Sequence, residues 1–362
     1  MSIDIGTGTL VEAARQPVDF GRRVLILRRS RFGFRMDLRS GLVCAALFLV
    51  MITVALAALA SGSYQLSISQ VASALTGGES GLVREIVVEW RLPRVAAALV
   101  FGAALGVSGA IFQSMLRNPL ADPGIIGFSQ GSYTGALIVI LVINGSYWQL
   151  VGGALLGGMA TAVAVYLLAY RRGVQGFRLI IVGIGVSAML GSVNTWLMLK
   201  ADLETAMAAA AWGAGSLNGV SWGQVVIGGA CIAVLLLLAG MLSRPMRQME
   251  LGDDAAASQG VRTSATRLGL VLVGVALTAT VTAASGPIAF ISLVAPQIAR
   301  RLTRTAGIAL APAACVGAPL CLIADYIAQH LAPTPLPVGI VTLMIGGGYL
   351  GYLLFTEARR RL

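Results

Sequence analysis

A chain of 362 residues with one lysine, Lys200, and one histidine, His330, carries few groups for ordinary catalysis. A phosphate-cradling loop needs Gly-x-x-x-x-Gly-Lys-Ser/Thr. Lys200 instead follows Trp196-Leu197-Met198-Leu199, so any nucleotide hydrolysis that drives this protein belongs to another polypeptide. A single histidine removes two-histidine metal sites and disfavours a Ser-His triad, and no resident metal is expected. Cys44, Cys231, Cys315 and Cys321 lie in apolar runs without Cys-x-x-Cys spacing and read as small packing residues. Asp325 is the one acid well inside an apolar run, which raises a proton relay. The reading we favour is a hydrogen-bonded acid near the outer end of its helix, close to His330 and water.

Gln113, Asn118, Asn194 and Gln297 interrupt apolar surroundings. An amide at membrane depth needs a partner or a water-filled path, so these are candidate pathway or packing residues. Pro287 suits the first turn of a helix. Pro296 lies inside that helix and frees a carbonyl one turn back; a kink that lines a cavity and a purely structural kink both fit. Arg91 and Arg94 are three residues apart and so share a helix face. Snorkelling, or pairing with Glu85 or Glu89, is their plain reading. The run Leu251, Gly252, Asp253, Asp254, Ala255, Ala256, Ala257, Ser258, Gln259, Gly260 reads as a short helix between two glycines. Its acids sit in the first turn, where the helix dipole favours them, and Gly260 suits a left-handed cap. It is either a docking element or a connector.

The elements that position these residues are apolar. The chain is 57% hydrophobic and 11% charged, where a soluble domain carries about 25% charge. It cannot cover a water-facing surface, and it has too much apolar material for disorder. Ten spans are expected at 41–60, 93–116, 124–143, 149–170, 177–199, 221–242, 266–285, 287–303, 306–331 and 336–356. With the amino terminus inside, 22 of the 26 basic residues fall on the inner side, so both termini are expected in the cytoplasm. On that map Trp90, Trp148, Trp196, Trp212 and Trp222 all lie at the outer interface, where amphipathic rings settle. The net charge of +11 is thus a topology signal, not a nucleic-acid footprint. Residues 1–39 form a separate basic, polar cytoplasmic tail that lies on anionic lipid or is simply disordered, and 40–362 form the spanning domain. Glycines cluster within the spans, as in Gly102, Gly106 and Gly109, Gly152, Gly153, Gly157 and Gly158, or Gly346, Gly347 and Gly348, marking close helix packing. Spans two to five and seven to ten run in opposite senses, the parity of an inverted repeat.

Several blocks then fall in order along residues 60–356: Arg91-Leu92-Pro93-Arg94; Gly102 to Gln113; Arg117-Asn118-Pro119-Leu120-Ala121-Asp122-Pro123; Leu251 to Gly260; Gly286-Pro287-Ile288-Ala289-Phe290; Leu293-Val294-Ala295-Pro296; and Leu336 to Thr342. They resemble the permease family of bacterial iron-siderophore and vitamin B12 ABC importers. Phe177 to Val186, Asn194-Thr195-Trp196-Leu197 and Gly215-Ser216-Leu217-Asn218-Gly219 are similar to the ferric-enterobactin permease type.

That resemblance implies an all-α polytopic protein with the ten-span type II ABC importer permease fold in the bacterial inner membrane. It implies a second permease subunit, a paralogue in the heterodimeric case, two ATPase subunits that bind ATP and Mg, and an extracytoplasmic siderophore-binding protein. The chain would hold no cofactor of its own, and iron would pass only as the siderophore complex. Arg91 and Arg94 match the outer arginines that dock the binding protein, while Gln329 stands where the family has a third. Residues 251–260 match the coupling helices that dock in the ATPase. Gln175, Gly176 and Phe177 match the cytoplasmic gate, though without its small hydroxylated residues. The usual Pro-His is Pro296-Gln297 here. The implied cargo is a catecholate-type iron(III)-siderophore; vitamin B12, heme and hydroxamate siderophores are the alternatives within the family. A proton-coupled secondary transporter built on Asp325 and a membrane-embedded enzyme are the rivals from other classes.

Overall fold

The computed structural model describes residues 24–29, 32–124, 127–143, 145–169, 176–305, 307 and 309–361. Two short strands, β1 (Val24–Arg29) and β2 (Phe32–Asp37), pair antiparallel with Val24 opposite Asp37 and Arg29 opposite Phe32. The tail, read as lying on anionic lipid or as disordered, thus contains a hairpin over Val24–Asp37. It leads directly into α1 (Leu38–Ala60).

The rest is helical. α2 (Ile68–Thr76) is closed by a capping box between Ser67 and Gln70. α3 (Leu82–Arg84) passes through a π-helical segment, Glu85–Arg91, into α4 (Leu92–Leu116), which carries Pro93 in its first turn. There follow α5 (Phe128–Ile138), extended by a π-helical turn to Ile143, then α6 (Tyr147–Ala169), α7 (Gly176–Lys200) and α8 (Leu203–Gly213). The second half is α9 (Trp222–Glu250), α10 (Asp253–Ser258), α11 (Thr263–Ser285), α12 (Ile291–Thr303), α13 (Leu310–His330) and α14 (Val338–Arg361).

A helix occupies each of the ten expected span positions. Among the described residues, seven helices are long and apolar enough to cross a membrane; Phe128–Ile143 and Val338–Tyr352 are shorter apolar stretches. α12 is shorter than expected because the chain reaches it through a turn: Phe290 sits at φ 67, and Pro287 lies in that turn, not in the helix.

α4 is the centre. Of its apolar window 78% is buried, against 11% for α1, because α9, α11, α12 and α13 all pack around it. Its glycines set the separations. A Cβ on Gly102 would lie 2.4 Å from the Gly317 carbonyl, one on Gly106 2.3 Å from that of Ala313, and one on Gly109 1.7 Å from that of Ser292. Only backbones without side chains approach so closely. Ser292 is the residue whose carbonyl Pro296 deprives of its helical donor, so α4 seals the surface over the expected kink. The α5–α6 pair repeats the device, with Gly131 and Gly135 against Gly157 and Gly153. Gly152, Gly185, Gly191, Gly347 and Gly348 meet nothing within 4 Å, so packing within this chain does not explain them.

Candidate functional site

Two cavities and one surface cluster collect the polar side chains. One cavity, about 480 Å3, on the side expected to face outward, is lined by Ala58, Glu89, Trp90, Arg91, Arg94, Val95, Gly219, Val220, Ser221 and Gln329. Arg91 and Arg94 therefore meet in one place, as their spacing predicts. Neither pairs with Glu85 or Glu89 by a described bond. Arg91 donates to the carbonyls of Leu59 at 2.7 Å and Tyr64 at 2.5 Å, tying the end of α1 to α4. Arg94 grips Asp325 with two parallel 2.8 Å bonds, and its remaining Nη1 donates to Asn218.

Asp325 accepts a further bond from Gln329, 3.0 Å, and is 1% exposed. This corrects the reading of Asp325 as an interfacial acid near water and His330. The acid is buried because a guanidinium fork from another helix neutralises it. His330 instead bonds the Tyr326 carbonyl and lies against the Tyr326 ring.

The second cavity, about 800 Å3, opens between α5, α7, α12 and α14. Its polar lining is Asp122, Ser129, Gln130 and Ser187; Leu120, Ile184, Phe290, Leu293 and Leu350 supply the apolar wall. Sequence reasoning missed these four polar residues. Ser129 and Gln130 open α5 and Ser187 interrupts α7, so the criterion that found Asn194 would have found them. Gly127 to Gly131 also spells Gly-x-Ser-x-Gly, the string of a serine nucleophile elbow. It opens a helix, and among the described residues no strand leads into it as that motif requires, so Ser129 is read as a hydroxyl in the cavity wall.

The four expected polar residues divide. Asn194 clamps α7 to α5 behind the cavity, accepting from Thr134 at 2.7 Å and donating to Gln130 Oε1 at 3.1 Å. Gln113 and Gln297 satisfy each other: Gln297 Nε2 donates to Gln113 Oε1 at 2.5 Å, and Gln113 Nε2 donates to the Leu293 carbonyl at 2.8 Å. These three are buried packing amides. Asn118 was expected within apolar surroundings and is in the loop after α4, where its Oδ1 accepts the Leu120 amide at 2.9 Å. An Asx turn is the natural use of Asn beside Pro119.

The surface cluster is built on α10. The helix covers Asp253 to Ser258; Leu251 and Gly252 precede it, and Gln259 and Gly260 follow. Gly252 at φ 124 and Gly260 at φ 84 make the two turns that side chains resist. Ala256 is wholly buried, and Leu251 is 72% exposed. Asp253 accepts from Arg267 at 2.7 Å and Arg117 at 3.2 Å, and Arg117 also donates to the Met249 carbonyl at 2.5 Å. Asp254, Ala255, Ala257 and Ser258 complete its two turns. Of the gate residues, Gln175 lies outside the described residues, Gly176 starts α7, and Phe177 is 78% exposed.

Residues 48–356 match the FecCD transport family. The chain belongs to that family. This FecCD permease is 48% identical over 321 residues to the Escherichia coli protein "Ferric enterobactin transport system permease protein FepG", covering 88% of this chain and 97% of that one. It is 36% identical to the Bacillus subtilis "Iron(3+)-hydroxamate import system permease protein FhuG", covering 86% and 96%. Its fold is similar to a structure described as an inward-facing conformation of a metal-chelate type ABC transporter, with a TM-score of 0.78, 26% identity, and 87% and 99% of the two chains covered. The FecCD permease is thus an α-helical membrane protein whose family members are transport subunits, not catalysts.

Proposed function

We propose that this FecCD permease is the transmembrane subunit of an ATP-driven importer that moves an iron(III)-siderophore of the catecholate type across the inner membrane. The observation that carries the reading is the near full-length likeness to the enterobactin relative, in a chain with no phosphate loop. The ten helices would then be ten crossings, with both termini in the cytoplasm on the charge bias.

The 800 Å3 cavity is half of the passage in this reading, and a second permease subunit supplies the other half. Its mixed wall of hydroxyls, amides and aliphatic groups suits a chelate with an oxygen-rich rim and aromatic faces. The outer cavity receives the extracytoplasmic binding protein. Arg91 leads that contact, because among the described residues no ion pair offsets its charge, whereas Asp325 balances Arg94. Leu251 to Gly260 dock in one of two ATPase subunits, which bind ATP and Mg; the exposed Leu251 beside the anchored Asp253 supports that role. Gln175 to Phe177 border the cytoplasmic exit. Residues 1–39 form the cytoplasmic tail, with the β1–β2 hairpin against anionic lipid.

The test is ATP-dependent uptake by the assembled complex in proteoliposomes, with ferric enterobactin, a ferric hydroxamate, heme and vitamin B12 offered in turn. Ferric enterobactin should be taken up fastest, and a preference for the hydroxamate would move the assignment to the other relative's chemistry. Uptake without an ATPase subunit would overturn the whole reading. The Arg94–Asp325 pair already speaks against a proton relay, since Arg94 and Gln329 occupy both oxygens of the buried carboxylate.

A further inference from the structure

The segment from Arg117 to Gly124 is eight residues long, and its two ends are fastened to different parts of the molecule. At its start Arg117 turns out of α4 at φ 48 and bonds the Met249 carbonyl and Asp253, the first residue of α10. At its end Asp122 accepts the Gly124 amide on Oδ1, 2.6 Å, and the Ser292 hydroxyl on Oδ2. Ser292 lies in the first turn of α12, between Phe290 and Leu293, and both of these line the 800 Å3 cavity together with Asp122. The segment between has little slack. Pro119 and Pro123 fix two φ angles, and Asn118 locks a turn through the amide of Leu120. A third tie, from Gln297 Nε2 to the Pro119 carbonyl at 3.4 Å, holds the middle to the same α12.

We propose that Asp122 is a positioning residue that passes displacement of α10 to the first turn of α12, and so to the cavity wall. The proposal rests on the reading of α10 as the ATPase-docking helix. A stiff strut transmits movement only if both ends are anchored. The α10 end is anchored by the Arg117–Asp253 bond, backed by Arg117's bond to Met249 at the end of α9, and the cavity end by a carboxylate that joins the strut to a serine 170 residues away. A carboxylate serving only its own turn would need the Gly124 bond alone. The Ser292 bond is the part a local role leaves unexplained, and the two can be cut separately.

The experiment uses the full complex with its ATPase and binding protein in proteoliposomes and reads ATP hydrolysed per ferric enterobactin imported. Ser292→Ala keeps the Asp122 turn and removes only the long-range bond. It should raise that ratio at least tenfold with hydrolysis within about twofold of wild type, and Ser292→Thr should restore it. Asp122→Ala should raise the ratio as much, and the double variant no further, because both cut one link. An unchanged ratio in Ser292→Ala overturns the proposal even if Asp122→Ala fails to assemble. So does a proportional fall of uptake and hydrolysis, or additivity in the double variant. A wild-type complex that imports without hydrolysis would instead sink the importer reading, a separate outcome.

Discussion

Arg94 and Asp325 stand 231 residues apart in sequence and meet through two parallel 2.8 Å hydrogen bonds between α4 and α13. The pair explains why an acid lies 1% exposed in an apolar helix, and it makes Arg94 first a structural residue. Removing one partner strands the other charge. Asp325→Ala or Arg94→Ala should cost about 3–5 kcal/mol, while the double replacement Arg94→Met with Asp325→Leu should recover most of it. Thermal unfolding in detergent measures this, and unchanged melting of the single variants would refute it.

Arg91 offers the cleaner test of binding-protein docking, since its partners are uncharged carbonyls. Arg91→Glu should weaken capture of the binding protein at least tenfold at low salt, about 1.4 kcal/mol, with basal ATPase activity unchanged. The deficit should shrink as salt screens the contact. Normal capture at low ionic strength would remove the docking role.

Leu251 and Ala256 separate surface from scaffold on α10. Leu251 is 72% exposed, so Leu251→Glu should leave the permease folded and reduce co-purification of the ATPase severalfold. Ala256 is wholly buried, so Ala256→Glu should displace the helix and abolish coupled uptake. Full ATPase recovery with Leu251→Glu would argue that α10 is a connector.

The glycines fall into two classes with opposite expected behaviour. Gly109→Ala forces a methyl into the Ser292 backbone and should lower the yield of folded permease. A Cβ on Gly191 would meet nothing within 4 Å, and Gly191→Leu should leave the isolated permease unaffected. If α7 faces the second permease subunit, the same change should impair the assembled complex only. A defect in the isolated chain would contradict the open surroundings seen at Gly191.

Deleting residues 1–37 tests the tail. Uptake by the intact complex should fall severalfold when anionic lipid is replaced by neutral lipid, and the deletion should remove most of that lipid dependence. Equal lipid dependence with and without the tail would dismiss the lipid contact.

The placement of the helices was legible in the sequence, because each stretch is set by its own composition. A run of apolar residues needs no distant partner to be helical in lipid, since every backbone group is satisfied within the segment. Gly252 and Gly260 likewise bound α10 as their positions indicated, because a turn at positive φ is a local demand. The hairpin at Val24–Asp37 was not read, although its strands VLILRR and FGFRMD carry apolar β-formers, since the basic composition of residues 1–39 as a whole masked that local pairing.

Partnerships between helices were not legible. Asp325 is read as water-facing until α4 brings Arg94 to it; Asn118 is read as a membrane amide until the end of α4 places it in a loop. Gln113 and Gln297 call for partners in the sequence, but only the crossing of α4 over α12 makes each the other's. Asp122, Ser129, Gln130 and Ser187 lie in separate segments and become one lining only when four helices enclose a cavity. The sequence by itself determined which segments are helical and which side chains a low-dielectric surrounding would force to find a bond. Only the tertiary structure decided which bond that is, because an uncompensated buried polar group is costly wherever it sits, while its partner is set by the crossing of elements hundreds of residues apart.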